Sequence, residues 1–233
     1  MSSHAGFHTA GLQKRAEGWA AALRHPGALS GPLAGASFVA GVAGALALAD
    51  APYPRPGAEL ADVRRYFGEN PGAARVSAAG QLVSAASLAT FAASVTELAS
   101  RSERGARGLG TAAIVGGALA AASLATSALC AAALTGHRGE EDAHAASLHR
   151  LMFAAGGPVH GAGFGLLVGA LGLAGLRSGE LPRPLAITGL ASAAAGLLSP
   201  LYFVWEPAAW LVPAGRFPGL VVSAIAGVRL SRS

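Results

Sequence analysis

Long charge-free stretches alternate with short segments that hold nearly every charge. No charged residue occurs between residues 24 and 50, nor between 107 and 137. Comparable runs cover 76–96, 151–176, 184–205 and 207–228, the last interrupted by Arg216. Each is about as long as the roughly 20 residues a helix needs to cross a bilayer. The pattern predicts an all-α, polytopic transmembrane bundle of six spans. Residues 1–27 form a leader, 28–230 the bundle and 231–233 a tail. In the long first loop, Leu60, Val63 and Phe67 recur at spacings of three and four, which predicts a short surface helix over 58–67. Asn70-Pro71-Gly72 then turns the chain into the second span.

Composition sharpens this picture. Hydrophobic residues make up 52% and charged residues 12%, about half the charge share of a soluble domain. The apolar residues are mostly small. Between helices in lipid, association depends on close packing, which small residues permit. Gly161, Gly165 and Gly169 form a smooth stripe on the fourth span. Another helix of the bundle, or a second copy in a homo-oligomer, would pack on it.

The net charge of +5 does not indicate nucleic-acid binding, because the basic residues flank spans and there set orientation. Ten Lys and Arg lie on the side of the two termini and six on the other. Both termini are therefore expected in the cytoplasm, in a bacterial cell (inner) membrane. Ala47-Leu48-Ala49 resembles a signal-peptidase site, but the preceding apolar run is too long for a typical signal peptide. The first span is read as retained. Residues 12–23 suit an amphipathic helix on the membrane surface, with Lys14 and Arg15 at the headgroups. The single cysteine, Cys130, excludes an intramolecular disulfide. Glu140, Glu141, Asp142, His144 and His149 fall in the 137–150 connection without a recognised zinc spacing. They read as a solvated loop. No metal and no cofactor is expected, and there is no P-loop, G-x-S-x-G, H-E-x-x-H or C-x-x-C.

Polar side chains within spans are the candidates for function, because they are unfavourable in hydrocarbon. With the predicted topology, Gln81, His160, Tyr202, Glu206 and Arg216 all fall in the outer half. That coincidence suggests an outward-facing polar cavity lined by Gln81, His160, Tyr202, Trp205 and Arg216. Each also has a structural reading. Arg216 can snorkel or pair with Glu206, His160 can bond a carbonyl freed by Pro158, and Gln81 can join two helices. Glu97 and Arg101 form an i, i+4 pair. Five aromatic residues, Tyr202, Phe203, Trp205, Trp210 and Phe217, lie between 202 and 217. They read as an interfacial belt, or as an aromatic pocket in which Glu206 is a proton donor with a raised pKa. Dense prolines in the same region should break the fifth and sixth spans into a kinked hairpin.

The leading function is non-enzymatic binding of a small or lipid-like ligand, with membrane lipids as surroundings. One alternative is a membrane-embedded terpene or isoprenoid cyclase with Glu206 as the catalytic acid. A second is a small secondary transporter, although no related halves are visible. The segments Pro-Tyr-Pro-Arg-Pro-Gly, Val63-Arg64-Arg65-Tyr66-Phe67, Phe153-Ala-Ala-Gly-Gly-Pro-Val-His160 and Pro213-Ala-Gly-Arg216-Phe217 resemble an uncharacterised family of six-helix membrane proteins common in actinobacteria. The resemblance implies the topology and no activity. A weaker similarity in size and character to bacterial membrane-embedded terpene cyclases carries no matching motif.

Overall fold

The computed structural model describes residues 26–101, 106–136 and 142–232. The expected leader helix over 12–23, with Glu140 and Glu141, lies outside the described residues. The chain forms α1 (Pro26–Leu48), α2 (Leu60–Glu69), α3 (Pro71–Ser100), α4 (Ala106–Gly136), α5 (Asp142–Ala154), α6 (His160–Ser178), α7 (Arg183–Leu198) and α8 (Leu211–Leu230). No strand occurs among the described residues. A π-helical turn, Ala155–Val159, joins α5 to α6, and two 3-10 turns, Ser199–Phe203 and Glu206–Trp210, join α7 to α8. Six segments are long and apolar enough to cross a membrane: Gly27–Leu48, Pro71–Ser100, Arg107–Gly136, Ala143–Ser178, Arg183–Phe203 and Glu206–Leu230.

Local chemistry sets the ends of these helices. Pro71 and Pro184 occupy first-turn positions, where the missing N–H removes no helical bond. Gly179 closes α6 at φ 75°, a left-handed conformation that glycine adopts without strain. The connection expected over 137–150 is helical from Asp142 onward, because α5 continues through the π turn into α6 as one long span. The expected surface helix appears as α2, but it is docked: Val63, Tyr66 and Phe67 are all buried. Asn70 holds that arrangement. Its Oδ1 accepts the Asp50 N–H at 2.9 Å, and its Nδ2 donates to the Tyr66 carbonyl at 3.2 Å.

α6 is the central helix. It touches α3, α4, α7 and α8, and 67% of its span is buried against 33% for α1. The stripe of Gly161, Gly165 and Gly169 faces α7, where added Cβ atoms would meet Ser199, Ala193 and Leu197. That face is covered within the chain. Around α6, α3 packs on α1 and α4, and α8 packs on α1 and α7. α1 and α3 touch backbone to backbone at Gly41 and Gly80, where a Cβ on Gly80 would lie 2.6 Å from the Gly41 Cα.

The end opposite α2 is tied by charge. Arg101 bonds Glu97 at 3.2 Å and Glu180 at 3.1 Å, so the expected i, i+4 pair extends to the α6–α7 turn. These bonds, first to Glu97 and then to Glu180, raise the guanidinium pKa above its ordinary value.

Gly80→Val should lower stability in detergent by about 1–3 kcal/mol, the range for overpacking a tight contact. Gly108, with nothing within 4 Å of an added Cβ, is the control, and Gly108→Ala should be neutral or slightly stabilising. Thermal unfolding of the two variants checks this; equal midpoints would reject the close contact.

Candidate functional site

The end of the bundle nearest α2 contains a cavity of ≈ 320 Å³. Five elements build its walls. Phe38, Val42 and Leu46 come from α1, Ser77 and Gln81 from α3, Leu124 and Ser127 from α4, Gly156 and Gly157 from the π turn, and Val212 and Arg216 from α8. Tyr53, Tyr66, Met152 and Phe153 close it toward the first loop. The lining is mainly apolar, as in most small-molecule sites, rather than the polar cavity expected from the sequence.

Two polar groups from different spans project into this apolar space. The Arg216 Nη2 donates to the Gly156 carbonyl, and its guanidinium lies 5.1 Å from the centroid of the Phe38 ring. Its Nε is buried without a hydrogen-bond partner. Among the described residues, no Asp or Glu lines the cavity and Arg216 forms no ion pair. The Gln81 Nε2 donates to Ser77 Oγ at 3.3 Å, whereas its Oε1 is buried without a partner. A buried polar atom without a partner is unusual in a native structure and calls for an explanation. Here a fixed positive charge and an unsatisfied amide share one space.

The π turn shapes the far wall. Pro158 has no N–H to give, and the His160 N–H reaches back five residues to the Ala155 carbonyl. Such wide turns often occur at functional sites. Two carbonyls around the break are taken by other spans: Arg216 bonds Gly156, and Ser199 Oγ donates to Pro158 at 2.9 Å.

The roof is aromatic. Tyr53 meets Tyr66 edge-on at 5.1 Å and Phe153 at 6.1 Å. Its hydroxyl donates to Met152 Sδ at 3.2 Å. Burial, and secondarily the neighbouring Tyr66, push the Tyr53 phenol above its ordinary pKa, so it stays a neutral donor. Burial raises Tyr66 as well.

The other expected site residues lie elsewhere. His160 is only 2% exposed, does not line the cavity, bonds the Ala120 carbonyl at 3.0 Å and stacks on Phe164 at 5.7 Å. Its partner is a carbonyl of α4, not one freed by Pro158. It ties α6 to α4, and its depth reflected packing. Tyr202 is half-buried beside Phe203, and Trp205 is 59% exposed. Trp210 and Phe217 are exposed too, so these rings form an outward-facing belt rather than a pocket. Glu206 is exposed on the same turn. It is in no apolar pocket and does not pair with Arg216. His149 is buried edge-on to Phe153 at 4.9 Å, and no group of three metal-ligating side chains occurs among the described residues.

Sequence reasoning missed Phe38, Tyr53 and Tyr66. Tyr66 shares the i, i+3 face of Val63 and was detectable there. Tyr53 lies in a proline-rich run without periodicity and gave no signal.

The bundle of six apolar helices defines a multi-pass integral membrane protein of the all-α class. The chain belongs to the family described as Domain of unknown function (DUF4386), which residues 33–230 match. No curated protein and no solved structure matches it.

Because Arg216 bonds the π turn and not Glu206, the two residues should be energetically independent. Arg216→Met should lower stability by about 1.5–3 kcal/mol, the range for a hydrogen bond to a charged group. Glu206→Gln should leave the unfolding midpoint unchanged, and the double variant should behave as the sum. A departure from additivity beyond about 0.5 kcal/mol in denaturant titrations would show a coupling that the geometry lacks.

Proposed function

We propose that this protein binds a lipid-like small molecule in the cavity beneath α2 and carries out no covalent chemistry on it. The observation that carries the reading is the convergence of Arg216 and Gln81, each with an unsatisfied buried polar atom, on one apolar space of ≈ 320 Å³. That volume lies at the lower end of the usual range for ligand sites, roughly 300–1,000 Å³. Among the described residues the lining supplies no carboxylate to serve as a proton donor, and the exposed Glu206 gives a cyclase mechanism no support. Binding is tested by extracting protein purified in mild detergent and identifying its lipids by mass spectrometry. The wild type should carry one lipid class enriched over the bulk membrane, and the Gln81→Leu, Arg216→Gln double variant should lose that enrichment. An extract that matches bulk lipid in both proteins would reject the proposal.

The same reading sets the protein in a bacterial cell membrane with both termini cytoplasmic and the cavity near the outer face. Its basis is the excess of Lys and Arg, ten to six, on the side of the termini. A reporter active only in the periplasm should be silent when fused after Ser233 and active when inserted at Gly57, an exposed turn glycine in the first loop. The opposite pattern would invert the assignment.

A further inference from the structure

Resting on that reading, we infer that the ligand is a single-chain amphiphile with an anionic head, and that it enters the cavity sideways from the bilayer between α1 and α8. The head would be a carboxylate or a phosphate monoester. The charge argument comes first. Arg216 brings a guanidinium into an apolar space with no acidic residue in its lining among the described residues. One of its donors is committed to the Gly156 carbonyl, and its Nε–H has no partner. A guanidinium so placed favours an oxyanion, because charge-assisted hydrogen bonds are strongest where water is excluded. The Gln81 amide supplies the second polar point. Its orientation is set only by Ser77, so it can present either the Oε1 acceptor or, turned over, the amide donors.

The route follows from what lines each side. Toward the first loop the cavity is lined by the packed Tyr53, Tyr66 and Phe153 ring cluster and by Met152. On the α1 side its lining includes residues exposed on the outer surface of the bundle. α1 and α8 pack closely through Gly31 against Ser223, Gly35 against Leu220, and finally Phe38 beneath Arg216. One and two turns further along α1, Val42 and Leu46 are 38% and 70% exposed, yet both line the cavity. Val212 of α8 lines the same cavity, and in this proposal the three residues form the apolar mouth.

Depth and size agree with a membrane-borne ligand. Arg216 lies five residues into α8, roughly 7.5 Å along that helix, and in the first half of the Glu206–Leu230 span, on the side of one leaflet. A headgroup from the adjacent leaflet reaches the guanidinium by a short inward displacement. The volume equals about ten water molecules at roughly 30 Å³ each. It therefore takes a head and the first few methylenes, and the rest of the chain lies along the Val42 and Leu46 stripe in lipid.

The test uses the full chain in vesicles that contain a photoactivatable fatty acid or its methyl ester, with crosslinked residues mapped by mass spectrometry. The acid should label Val42, Leu46 and Val212 well above Ile187, a lipid-facing residue of α7 that is 60% exposed. The ester should label them about tenfold less, since loss of one charge-assisted bond is worth about that factor. Arg216→Gln should lower labelling by the acid to the level of the ester. Should Arg216→Gln fold poorly, Gln81→Leu tests the same head site and should also weaken labelling by the acid. Leu46→Trp, at an exposed position, should narrow the mouth and slow labelling by the acid. Equal labelling by acid and ester would overturn the anionic class and leave lipid binding intact. Labelling by neither probe above the Ile187 level would overturn lipid binding itself. If excess acetate or inorganic phosphate in the aqueous phase displaced the acid while Leu46→Trp had no effect, access would be from water and the lateral route would fail.

Discussion

Hydrocarbon offers a polar group no partner, so each polar atom in a span must be satisfied within the protein or stand out as an exception. Most of this chain obeys that constraint by the shortest means. Ser37, Ser87, Thr90 and Thr126 each donate back to the carbonyl four residues earlier, to Leu33, Val83, Ala86 and Ala122. Ser192 and Ser199 reach across to neighbouring segments, to Gly215 and Pro158. His160, the most deeply set ionisable ring, is taken up by α4. Against that background the bare Nε of Arg216 and the bare Oε1 of Gln81 are informative. Among the described residues, two of the four buried side-chain atoms without a partner come from different spans and line the same cavity.

The π turn makes the Arg216 position possible. An α-helix running uninterrupted from α5 into α6 would keep its carbonyls within its own ladder. Gly156, Gly157 and Pro158 open that ladder, and Gly156 and Gly157 supply no side chain to fill the space created. Arg216 then reaches the Gly156 carbonyl across the bundle from α8. The same turn lets Ser199 hold Pro158, which couples the α7 end to the break. The break is thus both a polar anchor for α8 and a wall of the cavity.

Much of the fold was legible because charge along a chain is a one-dimensional signal. The six spans follow from where Asp, Glu, Lys and Arg do not occur, and α2 follows from the spacing of Leu60, Val63 and Phe67. Depth was legible too, since it is counted in residues from a helix end. Azimuth was not. Gln81 and Arg216 meet in one space while His160 points into α4, and that difference depends on how helices rotate against each other. With Ala, Leu and Gly on nearly all faces, the spans carry too little amphipathic signal to fix their rotation. The aromatic run at 202–217 left belt and pocket both open for the same reason: proximity in sequence across the two 3-10 turns does not say whether the rings turn inward. Tyr53, by contrast, reaches the site only through the fold of the first loop, which Asn70 pins to α2.

The position of the cavity is written in the glycines of α1. Near its start, Gly27 and Gly31 press on Ser94 and Phe91 of α3, while Gly31 and Gly35 also face Ser223 and Leu220 of α8. Further along, Gly41 and Gly44 close only on α3, against Gly80 and Val76. Small residues draw helices together where they occur on both sides of a contact, so glycines hold α1 to α3 along its length, whereas its glycine contacts with α8 stop at Gly35. Beyond that point lies the space that Arg216 enters, lined on the α1 side by Val42 and Leu46. Close packing on one side of a helix therefore coexists with open space on the other. In a bundle of small side chains this is how a cavity can exist without a large apolar residue filling it.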